Sequence, residues 1–194
     1  MKRLVLLVLF LFLAGTTYFA GGLYYGWIGK LEQVGSIQGK IIPDRIISQR
    51  TKIQNDASKN LGVKEPKQIL FGDLHVHTTF STDAFMWTLP MLNGSGSAPM
   101  SDACDYARYC SGIDFWATTD HAEASSPRKW KQTKELIRQC SFASNKEEST
   151  DVISFIGFEW TQVGATPSEH YGHKNVIFRD LEDENVAKRP IAAS

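Results

Sequence analysis

The sequence predicts an α/β fold of parallel strands and connecting helices, preceded by an N-terminal apolar helix. Two observations carry that prediction. From Ile69 onward, short apolar runs alternate with helical patterns in the order strand, helix, strand, helix, strand, and ahead of them an uncharged stretch over residues 4–29 follows Met1-Lys2-Arg3. A third observation sets the chemistry: histidines and carboxylates stand at the ends of the strand-like runs.

The N-terminal stretch comes first. A membrane-spanning helix needs roughly 20 apolar residues, and the core of a signal peptide only about 7–15. Residues 4–14 are strongly apolar, residues 15–29 are milder, and the next charge after Arg3 is Lys30. Tyr18, Tyr24, Tyr25 and Trp27 gather toward the far end, as an interfacial aromatic belt would. A buried core helix is disfavoured because nothing polar interrupts the segment. Residues 1–29 are therefore expected to be an uncleaved signal anchor in a bacterial inner membrane. Lys2 and Arg3 would lie in the cytoplasm, with the rest in the periplasm. Cleavage near Ala20-Gly21, which would release a secreted protein, is the alternative. Residues 30–67 are mixed and polar, with Pro43 and Pro66, and read as a spacer on the domain surface; Ile46, Ile47 and Ile53 suggest a short amphipathic helix within it. The domain proper is expected over residues 68–194.

Within that domain, residues 69–77 form the first strand pattern, Leu74 and Val76 alternating with Asp73, His75 and His77. A Gly- and Ser-rich loop follows at 93–101, and Ser101 is placed to cap a helix over 102–110 that Gly112 ends. Residues 113–118 are a short aromatic and β-branched strand. Ser126-Pro127 puts a cap residue before proline at the first helical position, and Trp130, Thr133, Ile137 and Cys140 then mark one helical face. Residues 152–158 and 175–178 are further strands.

The chemistry lies in His75-Val76-His77, Asp120-His121, Glu159 and His170-Tyr171-Gly172-His173. Residues i and i+2 of a strand face the same side, about 6.5–7 Å apart, so His75 and His77 address one small volume. Asp120-His121 and Glu159 follow apolar runs, and strand C-terminal ends converge on one rim in parallel α/β folds. Each piece alone has a plain structural explanation: a surface pair, a hydrogen-bonded turn, a helix cap, a loop. Together they do not, because three of the five histidines sit at strand ends and the other two share one loop. Imidazole with carboxylate suits zinc, manganese or iron, and the three cysteines show no metal-type spacing. Several carboxylates among the histidines favour two or three divalent ions. Such a cluster ionises a bound water and stabilises a transferring phosphoryl group without a protein nucleophile. No G-x-S-x-G or P-loop sequence competes for the role.

The run Gly72-Asp73-Leu74-His75-Val76-His77-Thr78, with Ser81 and Asp83, resembles the first motif of the PHP (polymerase and histidinol phosphatase) superfamily. Residues 113–121 resemble its second motif and Ile156-Gly157-Phe158-Glu159 its third. Within the superfamily the chain is most similar to a PHP-like domain-of-unknown-function family (number 3604), often exported in bacteria. The Phe71–Thr78 and His170–Val176 runs carry that likeness, which spans residues 67–192. It implies a distorted (βα)7 TIM-like barrel, of which this chain would hold the front part, with up to three metal ions at the strand ends. Carried over, His75 and His77 bind the first ion, Asp83 and His121 belong to the site beyond it, Glu159 bridges, and His173 rather than His170 comes next. Glu159, Asp120 and His121 are the implied catalytic groups, and Asp73 and Asp120 are implied to orient histidines. The implied activity is hydrolysis of phosphate esters, or in some members of other esters. Such relatives supply further ligands from later strands, whereas no histidine follows His173. About 125 residues follow the spacer, against ~250 for an eight-unit barrel. The expectation is an N-terminal fragment of a longer protein, weak in metal binding and inactive by itself.

Two other functions stay open at this level. An amidohydrolase-type metal hydrolase also opens with HxH on its first strand, but gives no reason for Asp120-His121 and Glu159 in this order. A non-catalytic, membrane-anchored binding module is the other, and the joint presence of His75, His77, His121 and Glu159 counts against it. The expected partners are a small phosphate ester or related ester and the membrane; with 21 basic and 21 acidic residues, nucleic acid is not expected. Cys104 and Cys110, six apart on one helix, are too far apart to bridge; Cys140 could pair with Cys110 if the two helices are neighbours, the alternative being simple buried thiols.

Overall fold

The computed structural model describes residues 2–25, 34–63, 69–81, 83–84, 98–144 and 150–192. It is mixed α/β and divides into two compact units, Met1–Gln33 and Val34–Ser194.

The first unit is helix α1, Lys2–Tyr25. Its 24 residues rise about 36 Å, enough to cross a hydrocarbon core of ~30 Å. Its span Lys2–Gly22 is long and apolar enough to cross a membrane, and its Leu, Val and Phe side chains are exposed. Thr16 turns its hydroxyl back onto the carbonyls of Phe12 and Leu13, so its polarity is met within the helix. Trp27 lies outside the described residues, as do the side chains of Tyr24 and Tyr25.

In the second unit, β1 (Gly72–Val76), β2 (Phe115–Thr118) and β3 (Ile153–Phe155) form a parallel sheet in that order. The β1-to-β2 connection includes α3 (Met100–Asp105), which continues as a π-helical turn over Tyr106–Ser111, and β2 reaches β3 through α4 (Pro127–Ser144). Helix α4 starts as its sequence directs: Ser126 Oγ accepts the Lys129 N–H at 3.2 Å, and Trp130, Thr133, Ile137 and Cys140 are all buried. Helix α3 starts differently. It begins after Pro99, two residues earlier than expected, and Ser101 is buried inside it rather than capping it. Gly112 closes the π turn at φ 59°, a left-handed conformation that glycine adopts without a Cβ clash. Of the expected loop at 93–101, residues 93–97 lie outside the described residues.

The run 152–158 is not one strand. It breaks at fully buried Ile156, and β4 (Gly157–Gln162) pairs antiparallel with β5 (Gly172–Ile177). The parallel βαβ arrangement therefore holds for β1 to β3 and gives way at β4. Gly157 is required at the turning point: a Cβ there would meet the carbonyl oxygens of Thr118 and Val176 at 2.7 and 2.8 Å. β5 returns to β1 through Asn175, whose Nδ2 donates to the Leu74 carbonyl at 2.8 Å. The described residues form no closed barrel.

The core lies between the sheet and α4, with Trp116, Ile137, Val152, Ile156 and Phe158 nearly or fully buried. Trp130, Phe158 and Phe178 stack within about 6 Å of one another at one side. Cys104 and Cys140 form a disulfide, with Cα atoms 6.1 Å apart, and Cys110 is free and exposed. This corrects the Cys110–Cys140 pairing. Cys104 points from α3 into the core, and six residues further round the helix Cys110 faces outward. Residues 34–63 pack with the second unit, and the helix expected among them is α2 (Asp44–Asn60). From α2, Arg50 donates to the carbonyls of Ile113 and Asp151, and Gln54 to Asp114, at the entry ends of β2 and β3.

Candidate metal centre

The site is assembled where β1, β2, β4 and β5 meet at the far ends of the parallel strands. The register of β1 on β2 shifts between Asp73 and Val76, so the pairing is irregular around His75. Irregularities of this kind re-aim side chains. The Nε2 atoms of His75 and His77 end 2.9 Å apart, much closer than flat alternation would bring them. Beyond β2, the Glu159 N–H donates to the Asp120 carbonyl and His121 pairs with Glu159 as a single parallel bridge. That bridge carries Glu159 into the mouth of the sheet. On β4 and β5, Thr161 lies opposite His173, and Glu159, Thr161 and His173 share one face.

Glu159 is the centre of the cluster. Its side chain is only 3% exposed, and its Oε2 is approached by the Nε2 atoms of His77, His75 and His121 at 2.8, 3.4 and 3.6 Å. Its other oxygen, Oε1, lies 2.7 Å from His173 Nδ1. Asp83 adds a second carboxylate, with Oδ1 3.3 Å from His77 Nδ1 and Oδ2 3.3 Å from His121 Nε2. The rings of His75, His77, His121 and His173 follow one another at centroid spacings of 4.9, 5.0 and 5.1 Å. Three sets of ligand atoms are mutually close enough to share a cation: His75, His77 and Glu159; His77, Asp83 and His121; His121, Glu159 and His173.

The electrostatics favour a cation here. Burying a carboxylate costs several kcal/mol unless a partner answers it. Glu159 Oε2 is buried and accepts no hydrogen bond, although three imidazole nitrogens surround it. Nitrogens that close and yet not aligned as donors fit ligands converging on one positive centre. Burial pushes Asp83 upward, but hydrogen bonds from Ser81, Ala84 and His77 outweigh it and hold this carboxyl well below the usual carboxylate range. Burial pushes Asp120 upward, opposed by its bonds to Thr78.

The sequence-predicted residues fall as follows. His75, His77, Asp83, His121, Glu159 and His173 are brought together. Asp120 stands just below them: its carboxylate accepts the Thr78 N–H at 2.6 Å and the Thr78 hydroxyl at 2.8 Å, tying the end of β1 to the end of β2. Asp73 accepts the His75 backbone N–H at 2.9 Å. His170 caps the short turn Pro167–Glu169 and is in none of the three ligand sets. Sequence reasoning assigned no role to Glu123, 3.6 Å from His121 Nδ1, or to Thr161, whose hydroxyl lies 3.2 Å from His173 Nδ1 and 3.5 Å from His121 Nδ1. Thr161 was within reach, since it follows Glu159 by two on a strand. Ser81 belongs to the first motif, but nothing in its sequence position signals its hydroxyl's contacts with His77 and the His121 backbone.

Residues 64–135 match the model of a family described as a protein of unknown function (DUF3604). The match supports the likeness to that family over β1, β2 and the segments after them, which include His75, His77, Asp83 and His121. No curated protein and no solved structure matches the chain.

Proposed function

We propose that this protein is a metal-dependent hydrolase of the PHP type, acting on phosphate esters. The observation that carries the reading is Glu159, a buried carboxylate with His75, His77 and His121 around one oxygen and His173 at the other. The donor set is all imidazole and carboxylate, which suits zinc, manganese or iron. His75, His77 and Glu159 would hold one ion, and His121, Asp83 and His173 would take part in holding the others, with Glu159 shared. Ions bound there would ionise a water near neutral pH and neutralise charge on a phosphoryl oxygen.

The chain's own residues prepare that chemistry. Glu159 places one negative charge between neighbouring cation positions and so lowers their repulsion. Glu123 and Thr161 face the Nδ1 side of His121 and direct its Nε2 toward Asp83 and Glu159. Asp120 holds the two strand ends together through Thr78. His75, Asp83 and His173 are about half exposed, which leaves the mouth open to a substrate. Helix α1 would anchor this unit to a membrane, with Lys2 and Arg3 on the cytoplasmic side and the site in the periplasm.

The test is turnover of phosphomonoesters, phosphodiesters, carboxylic esters and amides by the full-length protein, stripped of metal and reloaded with zinc, manganese or iron. Metal-dependent phosphoester hydrolysis is expected. Turnover of amides alone would assign an amidohydrolase, and stoichiometric metal without turnover would leave a binding module.

A further inference from the structure

We propose that Asn175 is a positioning residue that sets the direction of His75, holding the peptide from which that histidine projects toward Glu159; this rests on the metal-site reading above. On β1, Leu74 and His75 stand between the paired positions Asp73 and Val76, where β2 offers Ala117 alone between Trp116 and Thr118. The peptide joining Leu74 to His75 is held by side chains at both edges. Its N–H donates to Asp73 Oδ1 at 2.9 Å, and its carbonyl accepts from Asn175 Nδ2 at 2.8 Å.

A peptide is planar, with its carbonyl oxygen and N–H on opposite edges and the next Cα in the same plane. Two bonds, one at each edge, therefore fix its tilt, and with it the direction in which the His75 side chain leaves the backbone. Packing adds little, since that side chain is 55% exposed. The two bonds differ in reach. Asp73 is a neighbour in sequence and moves with β1, whereas Asn175 lies 101 residues from Leu74 on β5, in the other sheet. In the β4–β5 register Asn175 stands opposite Glu159, and such partners share a face. The amide thus ties the peptide entering His75 to the strand position facing Glu159. The ligand set His75, His77 and Glu159 draws on both sheets, so it depends on a tie between them. Water replacing the amide would satisfy the Leu74 carbonyl without fixing its direction.

Two readouts test this. The first is amide exchange in chelator-treated protein labelled with nitrogen-15 histidine and threonine, the His75 signal being assigned by its loss in His75→Gln. The His75 N–H is expected to be protected in the wild type and to exchange ~3–10-fold faster in Asn175→Ala, the effect of losing one hydrogen bond. The Thr119 N–H, which donates to the Val76 carbonyl between β1 and β2, is expected to keep its rate. The second readout is zinc affinity measured against a competing indicator. Asn175→Ala is expected to lower it ~10-fold, by the same factor in a His173→Ala background, and not at all in a His75→Ala background. Near-UV circular dichroism and an intact Cys104–Cys140 bridge establish that each variant is folded. An unprotected His75 N–H in the wild type overturns the proposal even if Asn175→Ala does not fold. An unchanged His75 rate in a folded Asn175→Ala, an equal rise at Thr119, or an equal loss of affinity with and without His75 also overturns it. A wild type that binds no zinc refutes the proposed function instead, while the exchange rates, read without metal, still decide whether Asn175 holds the peptide.

Discussion

Arg108 and Glu159 are both ionisable side chains withdrawn from water, and the protein answers them in opposite ways. The Arg108 guanidinium is matched by protein alone: Nε and Nη2 donate to Asp151 Oδ2 at 3.2 and 3.1 Å, and the remaining donors reach the carbonyls of Gln38, Lys40 and Ala143. It ties the segment after Gln33 to the end of α4 and the start of β3. Removing one partner of a buried pair strands the other charge and costs about 3–5 kcal/mol. Arg108→Met should therefore lower the free energy of unfolding in urea by about that amount. Glu159 instead has three imidazole nitrogens within 3.6 Å of Oε2, and the proposed ligand role rests on that converging set, since an unbonded buried oxygen is found on Asp151 as well. Glu159 was legible in the sequence because it follows an apolar run next to other strand ends bearing histidines. Arg108 was not, since an arginine on a helical pattern ordinarily faces water and its partner lies 43 residues away. Ser81 was half legible: its motif was visible, but the turn that folds its hydroxyl onto two strands was not.

At the scale of elements, the parallel sheet and α4 were readable because their signals are local: apolar runs of strand length, and Ser126-Pro127 at a helix start. The antiparallel turn at β4 was not, because 152–158 reads as one nearly continuous apolar run and carries no mark of where the backbone changes partner. The segment after β5 was also unreadable, being held to α4 by side chains rather than by a periodic pattern. Trp130 Nε1 donates to the Ala187 carbonyl, Arg138 to that of Leu181, and Asp183 pairs with Lys134 and Arg138 at 2.6 and 2.7 Å. Those two cations hold the Asp183 carboxyl down at about 2. A depressed carboxyl stabilises the docked state above its unfolded value of 3.8 and loses that contribution as pH falls through about 2. Hydrogen exchange over residues 180–190 should therefore rise across that interval in the wild type. Asp183→Asn should exchange faster at neutral pH and lack the acid step. Because Asp183 is largely exposed, added salt should shrink the difference.

For the whole molecule, the disulfide and the histidine–carboxylate cluster are two long-range features, one closing a loop of sequence and the other gathering side chains from the ends of β1 and β2 and from β4 and β5. The Cys104–Cys140 bridge spans 36 residues, for which chain entropy gives about 4 kcal/mol. One free thiol is expected in the unfolded, unreduced protein, belonging to Cys110, and reduction should lower the unfolding midpoint. Three free thiols would remove the bridge from the account. Such a bond persists in an oxidising compartment, which agrees with the proposed export behind α1. The central claim concerns Glu159, whose replacement by Gln keeps its size and deletes its charge. In the proposed site Glu159 would be shared between cation positions, unlike His77, whose loss should weaken one ion. The decisive measurement is metal per protein by elemental analysis of wild type, His77→Ala and Glu159→Gln. The account predicts that Glu159→Gln loses more than one equivalent and more than His77→Ala does. Wild-type metal content in Glu159→Gln would contradict it and leave Glu159 a structural residue of the sheet.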